Sequence, residues 1–347
     1  MQNIAINGLG RTGRLILRRY LDGGYSNFRI VAVNDPMPRD NLLYLLKYDS
    51  VHGTLPHEIS INGDRLSIAD TSFALYQRSE PNKLPWQEHN IDLVIESSGQ
   101  FCRYSDAMQH IGAGANRVLI TAPCKDADIT LVLGVNDNDF DAEQHIIISN
   151  ASCTTNCLTP VLKVLIDAYG VERVLVTTVH AYTASQSMVD VAAKKMHRGR
   201  AGSMNIIPTS TGADACTILV LPELKDRLLA LALRVPVANV ALIDISAELS
   251  DKEELRSLTS DDINGVFIKA AAGSMENIIQ YSDEQLVSSD IIGNPHSAVI
   301  HGLTTRVLQG NMINLFAWYD NEYGYASRCL DIAEKISGQA LVPEPVV

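Results

Sequence analysis

The chain has 347 residues, 46% of them hydrophobic, with six cysteines and a net charge of -12. That length supports two domains with separate cores, and the cysteines are too sparse for a disulfide scaffold, which favours a reducing compartment. The acidic balance argues against a nucleic-acid partner, because phosphate backbones are repelled, yet it leaves room for a local basic pocket that takes a small phosphorylated ligand.

The amino terminus, MQNIAINGLG, lacks a basic segment followed by an apolar core and cleavage site. No later apolar run is long enough to span a bilayer, and the most apolar tract, 228–245, is broken by Arg234, Pro236, Asn239 and Asp244. A cytoplasmic protein with no membrane partner is expected.

In chain order, an apolar strand at 3–7 leads into Gly8-Leu9-Gly10-Arg11-Thr12-Gly13, followed by a helical pattern that stops at Gly23-Gly24. The spacing is G-x-G-x-x-G, which supplies a tight turn, close backbone approach to a pyrophosphate, and close packing of helix on strand. A second strand, 28–33, ends in Asn34-Asp35, at the distance expected of an acid that bonds the adenine ribose hydroxyls. A carboxylate there repels a 2'-phosphate, so NAD is the expected cofactor. Gly8, Gly10, Arg11, Thr12 and Asp35 are the cofactor-binding candidates of this stretch. An ordinary strand-turn-helix with incidental glycines is the competing reading, and the acid in register argues against it.

Strand-like runs at 91–95, 117–121, 129–135 and 145–149, with a helix at 104–113, indicate an α/β fold with a largely parallel sheet. Its ligand crevice lies beyond the carboxyl ends of the strands, so the turns at 96–99 and 121–123 border the dinucleotide and add Ser98 and Thr121. Two readings of Arg78 stay open: it reaches the adenine end, or it is a solvated surface arginine.

Residues 149–160, SNASCTTNCLTP, set Cys153 at a helix start, where unpaired backbone N–H groups and the positive end of the helix dipole favour a thiolate. A buried structural cysteine is the commoner fate of such a residue. Cys157, one turn on, reads as a structural neighbour, and no zinc-like spacing follows; no metal is expected. Beyond it come a helix at 158–169, a strand at 173–180, a long loop at 181–208, strands at 230–235 and 240–246, a helix at 253–258, a strand at 312–318 and a helix at 325–336. The expected division is a dinucleotide-binding unit at 1–150, with the C-terminal segment 319–336 packing back on it, and a catalytic unit at 151–318. A thiolate beside a dinucleotide points to carbonyl oxidation, for which His180 is the candidate base and ion-pair partner.

INGLGRTGR, NDP, YDSVHG, SNASCTTNCLTP, TTVHAYTASQ, RGRAGSMNIIPTSTGA, VLPELKDRL, RVPVANV and WYDNEYGYA resemble, in order, the motifs of phosphorylating glyceraldehyde-3-phosphate dehydrogenases across essentially the whole chain. The resemblance implies a Rossmann-type domain, an α+β catalytic domain with a mostly antiparallel sheet, and a homotetramer that uses NAD, an aldose phosphate and inorganic phosphate. It implies that Cys153 is acylated and His180 accepts the proton. Thr183 and Arg234 would hold the substrate phosphate. Ser152, Thr154, Thr211 and Gly212, with Arg200 adding charge, would hold the attacking phosphate. Asn321 and Tyr325 would meet the nicotinamide. Three departures bear on this. Val191-Ala192 replaces the Leu-Pro that often follows the loop Asp, here Asp190, leaving room for some NADP use. KKMHRGR sets Arg198 beside Arg200. NPHSAVIHGLTTRV and the LPW at Trp86 resemble the erythrose-4-phosphate dehydrogenase branch, the main alternative; a binding protein on an inherited fold is the alternative of another class.

Overall fold

The structure, a computed structural model, describes residues 1–250 and 257–339. The chain forms two compact units: Met1–Ala151 with the segment that begins at Ala326, and Ser152–Tyr325.

In the first unit the elements run β1 Gln2–Asn7, α1 Arg11–Leu21, β2 Phe28–Asn34, α2 Arg39–Lys47, β3 Tyr48–Asp49, β4 Gly53–Thr54, β5 Ile59–Asn62, β6 Arg65–Ile68, β7 Thr71–Tyr76, β8 Leu93–Glu96, α3 Tyr104–Gly112, β9 Arg117–Ile120, β10 Ile129–Thr130 and β11 Ile147–Ser149. Nine strands make one sheet in the order β10-β11-β9-β8-β1-β2-β7-β6-β5. It is parallel from β10 to β7, and β6 and β5 extend it antiparallel. β8 and β9 are buried at every position, as expected of central strands covered on both faces. From β1 the chain winds to β2 on one side and later to β8 on the other. The carboxyl ends of β1 and β8 therefore flank the point where the winding reverses, the place such a sheet leaves open for a ligand.

The strand expected over 129–135 pairs only at Ile129–Thr130. Asn136 takes the rest into a turn: its Oδ1 accepts from Val132 N–H (2.9 Å) and its Nδ2 donates to Thr130 O (2.8 Å), an alternative to ladder bonds.

The second unit contains α4 Cys153–Tyr169, β12 Val171–Ala181, β13 Ile207–Thr209, α5 Ala213–Val220, β14 Leu228–Val235, β15 Ala241–Leu249, α6 Ser260–Ala271, β16 Ile279–Ser282, β17 Ala298–His301, β18 Arg306–Leu308 and β19 Met312–Tyr319. Its eight-stranded sheet runs β13-β14-β12-β15-β19-β17-β16, with β18 on β19. Only β12–β14 and β16–β17 pair in parallel. Register sets Ile207, Arg234, His180, Ala241 and Tyr319 side by side across five strands. Residues in such a row point to one face, so Arg234, His180 and Tyr319 share a face. Between β12 and β13 the loop holds only a 3-10 turn, Met196–Gly199. The helix expected over 253–258 falls largely outside the described residues.

The last helix, α7, spans Tyr323–Gly338. It does not begin at 319: Tyr319 closes β19, and Asp320 Oδ1 accepts from Glu322 N–H (2.9 Å) and Tyr323 N–H (2.8 Å), which makes the turn that starts the helix. Within the first unit, Glu334 of α7 accepts backbone N–H bonds from Ser26 (2.9 Å) and Asn27 (3.0 Å). Among the described residues no helix is long and apolar enough to cross a membrane.

Candidate active site

Ser152 starts α4, its Oγ accepting from Thr155 N–H at 3.1 Å, so Cys153 is the first helical residue. The residue before the cap, Ala151, has φ +50°, a left-handed turn that a side chain tolerates poorly. Cys153 Sγ lies 3.6 Å from His180 Nε2. Behind the pair, the buried Tyr319 hydroxyl meets Thr154 Oγ1 (2.9 Å) and Thr178 Oγ1 (3.0 Å), and its ring stands edge-on to the imidazole at 6.0 Å. Cys157 is buried, and none of the six cysteines is in a disulfide.

Burial acts against the ion pair expected of the sequence. Burial pushes the Cys153 thiol up, opposed by the Arg234 charge and the bonds to Thr154. Burial, then the Arg234 charge, pushes His180 down to about 3. Loss of solvent disfavours both charged forms and so works against the ion pair.

Arg234 reaches this pair because the parallel register of β12 and β14 sets it opposite His180. Its Nη1 donates to Ala181 O at 2.8 Å and abuts His180 Nδ1. The same carbonyl is 2.8 Å from Nδ1.

The other residues assigned to phosphate lie nearby in the chain or on the loop after β12. Thr183 Oγ1 is 2.8 Å from Ser185 Oγ, and Thr211 Oγ1 accepts from Ala213 N–H (3.1 Å) at the start of α5, which Gly212 caps. Arg200 is not turned to this segment. Its Nε pairs with Asp190 Oδ2 at 2.8 Å, and Asp190 Oδ1 also accepts from Ala201 N–H (2.9 Å), so the acid captures the guanidinium locally. Arg198 takes the place expected for Arg200: its Nε donates to Thr209 Oγ1 (2.6 Å) and its Nη2 to Ser210 O (3.3 Å).

In the first unit a cavity of about 170 Å³ is lined by residues that include Gly8, Gly10, Asp35, Arg78 and Ser98. The glycines serve different ends. Gly8 has φ +92° and a Cβ there would stand 2.4 Å from Ser98 N; a Cβ on Gly13 would stand 1.9 Å from Gly8 O; at Gly10 nothing lies within 4 Å, so that backbone is open to a ligand. Asp35 is fixed by two backbone bonds, Oδ2 accepting from Leu9 N–H (2.6 Å) and Oδ1 from Met37 N–H (2.8 Å). An open glycine at the start of α1 with a held carboxylate at the end of β2 fits a dinucleotide. Arg11, Thr12 and Thr121 are not in the lining. Arg11 pairs with Asp49 at 2.5 Å, and Thr121 Oγ1 donates to Glu96 O at 3.1 Å. Asn321 follows β19 with a buried, unpartnered Oδ1, and Tyr325 is buried in the first turn of α7. Among the described residues no cluster of three or more His, Cys, Asp or Glu could hold a metal ion.

Two neighbours of these residues escaped the sequence reading. Tyr319 carried a signal, since it falls on the buried phase of a strand that alternates along its length. For Arg198 the sequence offered only its nearness to Arg200.

A dinucleotide cradle in one unit and a thiol facing an imidazole in the other are features of a nicotinamide-dependent oxidoreductase. Residues 2–104 match the family described as "Glyceraldehyde 3-phosphate dehydrogenase, NAD binding domain", and residues 152–321 match "Glyceraldehyde 3-phosphate dehydrogenase, C-terminal domain". The chain is similar to glyceraldehyde-3-phosphate dehydrogenase 2 of Bacillus subtilis (46% identity over 344 residues, 99% of each chain). It is also similar to the glyceraldehyde-3-phosphate dehydrogenases of Geobacillus stearothermophilus (44%, covering 97% of this chain and 99% of the relative) and Chlamydia pneumoniae (44%, 96% and 98%). The chain belongs to the glyceraldehyde-3-phosphate dehydrogenase family, whose amino-terminal domain binds NAD.

Proposed function

We propose that the chain oxidises D-glyceraldehyde 3-phosphate with NAD and inorganic phosphate to 1,3-bisphosphoglycerate. The observation that carries this reading is Cys153 Sγ facing His180 Nε2 at 3.6 Å with Arg234 in register beside the imidazole. His180 Nε2 faces the thiol and takes the proton as sulfur adds to the aldehyde carbon. The backbone N–H of Cys153, at the start of α4, stabilises the developing oxyanion. NAD, when bound, supplies a nicotinamide ring that accepts hydride. The acyl group then rests on Cys153 as a thioester, which inorganic phosphate attacks to release an acyl phosphate. Arg234 and Thr183 hold the substrate phosphate. Ser152, Thr154, Thr211 and Gly212 hold the attacking phosphate, with Arg198 rather than Arg200 as the neighbouring cation. Asn321 and Tyr325 orient the nicotinamide.

Erythrose 4-phosphate is not the favoured substrate: the relatives above all carry the glyceraldehyde-3-phosphate name, and the AYT and TSTG segments keep that branch's pattern. An inactive binding protein is not favoured either, because the thiol, the imidazole and the phosphate-handling residues are all present.

A homotetramer is supported by apolar surface. Leu175, Leu229 and Leu231, each more than half exposed, lie on the sheet face opposite His180, and the loop after β12 exposes Met188, Val189, Met204 and Ile206. Six cysteines outside any disulfide support a cytoplasmic setting. The deciding experiment is steady-state kinetics with glyceraldehyde 3-phosphate and erythrose 4-phosphate side by side. A higher kcat/KM for the four-carbon sugar overturns the substrate assignment, and light scattering of the eluting protein at the monomer mass overturns the tetramer.

A further inference from the structure

Beneath the cavity of the first unit runs a polar chain that no step above uses. Glu96 ends β8 with 1% of its surface exposed. Its Oε2 accepts from Asn7 Nδ2 (2.5 Å) and His110 Nε2 (3.0 Å), and its Oε1 accepts from Ser98 N–H (2.8 Å) and Ser98 Oγ–H (2.5 Å). Trp86 Nε1–H donates to His110 Nδ1 at 3.0 Å. An indole N–H only donates, so Nδ1 is the acceptor and the ring proton sits on Nε2, facing Glu96. Trp86 and His110 are fully buried.

From Glu96 the chain continues outward. Asn7 Oδ1 accepts from Asn34 Nδ2 (2.7 Å), and the Asn34 amide ties both backbone groups of Arg78, donating to its O (2.9 Å) and accepting from its N–H (2.9 Å). The outer members, Asn7, Asn34, Arg78 and Ser98, all line the cavity. The inner members are core. A buried carboxylate is costly to hold, and an apolar group of the same shape would serve a purely structural core as well. Here four donors from three residues converge on it, three of them from residues of the cavity wall.

We infer that Glu96, fixed by His110 and Trp86, is a positioning residue for the dinucleotide: it acts through Ser98 and Asn7, holding both at the cavity wall in one arrangement. The inference rests on the reading of this cavity as the NAD site. An amide at position 96 would turn an NH2 group toward at least one donor and release part of the wall. At position 110, glutamine can still accept from Trp86 and donate to Glu96, whereas leucine can do neither.

The test is NAD binding to the full chain by calorimetry, with kcat measured at saturating NAD. His110→Leu and Glu96→Gln are each expected to weaken NAD binding by about 10- to 100-fold, the scale of a misplaced contact. His110→Gln restores binding to within about threefold of the parent, and kcat at saturating NAD stays within the same range in all three, so the loss falls on binding. A merely structural role would lower the melting temperature of His110→Leu and leave its NAD affinity unchanged, which overturns the inference. If that variant fails to fold, Glu96→Gln decides: unchanged affinity overturns the inference and a tenfold or greater loss supports it. A parent chain that binds no NAD overturns the reading of the cavity itself, a different result from a parent that binds NAD and variants that match it.

Discussion

We predict that cofactor choice turns on Asp35, whose carboxylate the fold holds in place. Both carboxylate oxygens are held by backbone N–H groups, at 2.6 Å from Leu9 and 2.8 Å from Met37, so the group cannot swing away without losing two charge-assisted bonds. NADP would bring a 2'-phosphate of charge roughly -1.5 to -2 against it. Unit charges about 4 Å apart repel by about 4 kcal/mol at an effective dielectric near 20, and solvent on the open side of the cavity reduces this to roughly 3 kcal/mol net. The opposing signal is Val191-Ala192 in place of Leu-Pro, where relief of crowding by one or two carbons is worth roughly 1 to 3 kcal/mol. Electrostatics wins, and kcat/KM for NAD exceeds that for NADP by at least about 100-fold. Asp35→Ala narrows the gap more than Val191→Leu with Ala192→Pro widens it, and Asp35→Asn, which removes the charge and keeps an acceptor oxygen, separates repulsion from the loss of the Leu9 and Met37 bonds. The assay is initial-rate kinetics with both cofactors at fixed aldehyde and phosphate. Equal efficiency with NAD and NADP in the unmodified protein refutes the argument.

Four other variants probe the second unit. Cys153→Ser abolishes oxidation with NAD affinity intact, because a hydroxyl is a far weaker nucleophile, while Cys157→Ser keeps most activity; equal loss in both breaks the division between the two cysteines. His180→Asn lowers turnover by about 100- to 10,000-fold, and unchanged turnover removes the imidazole from the mechanism. The same variant has a pH signature. His180 is pushed down to about 3 in the fold, so below the ordinary histidine pKa near 6.5 the unfolded chain binds a proton that the folded chain refuses. The parent therefore loses stability, by up to about 1.4 kcal/mol per pH unit, as pH falls from 6.5 toward 3, and the asparagine variant is spared that loss; parallel denaturation midpoints over this window contradict it. Tyr319→Phe strands the Thr154 and Thr178 hydroxyls, which meet the tyrosine at 2.9 and 3.0 Å, and costs about 2 kcal/mol by urea denaturation; a cost under about 0.5 kcal/mol means the threonines find other partners.

What the sequence made legible is what is local in it. The glycine loop and Asp35 fall within one strand-turn-helix-strand stretch, where spacing alone fixes geometry, and the helix start at Cys153 needs only Ser152 before it. The pairing of His180 with Arg234 is another matter. These residues are 54 apart and meet because β12 and β14 pair in parallel with one particular register, which no periodicity in either strand states. A slip of one residue would send Arg234 to the opposite face, where Leu231 and Leu229 are exposed, and leave His180 without its neighbouring charge. The same dependence bears on the expected ion pair. The sequence shows a thiol at a helix start and a histidine, both of which favour charge separation, but burial and the Arg234 guanidinium are tertiary facts: burial pushes each group toward its neutral form, and the Arg234 charge pushes the imidazole the same way while favouring the thiolate. Arg198 and Arg200 differ for a smaller reason of the same kind. Each is a basic residue on one irregular loop, and only the folded chain shows Asp190 within 2.8 Å of Arg200, leaving Arg198 to reach Thr209. Chemistry that rests on residue type at a spacing is thus readable from the chain, whereas the charge state of that chemistry belongs to the neighbours that register and burial supply.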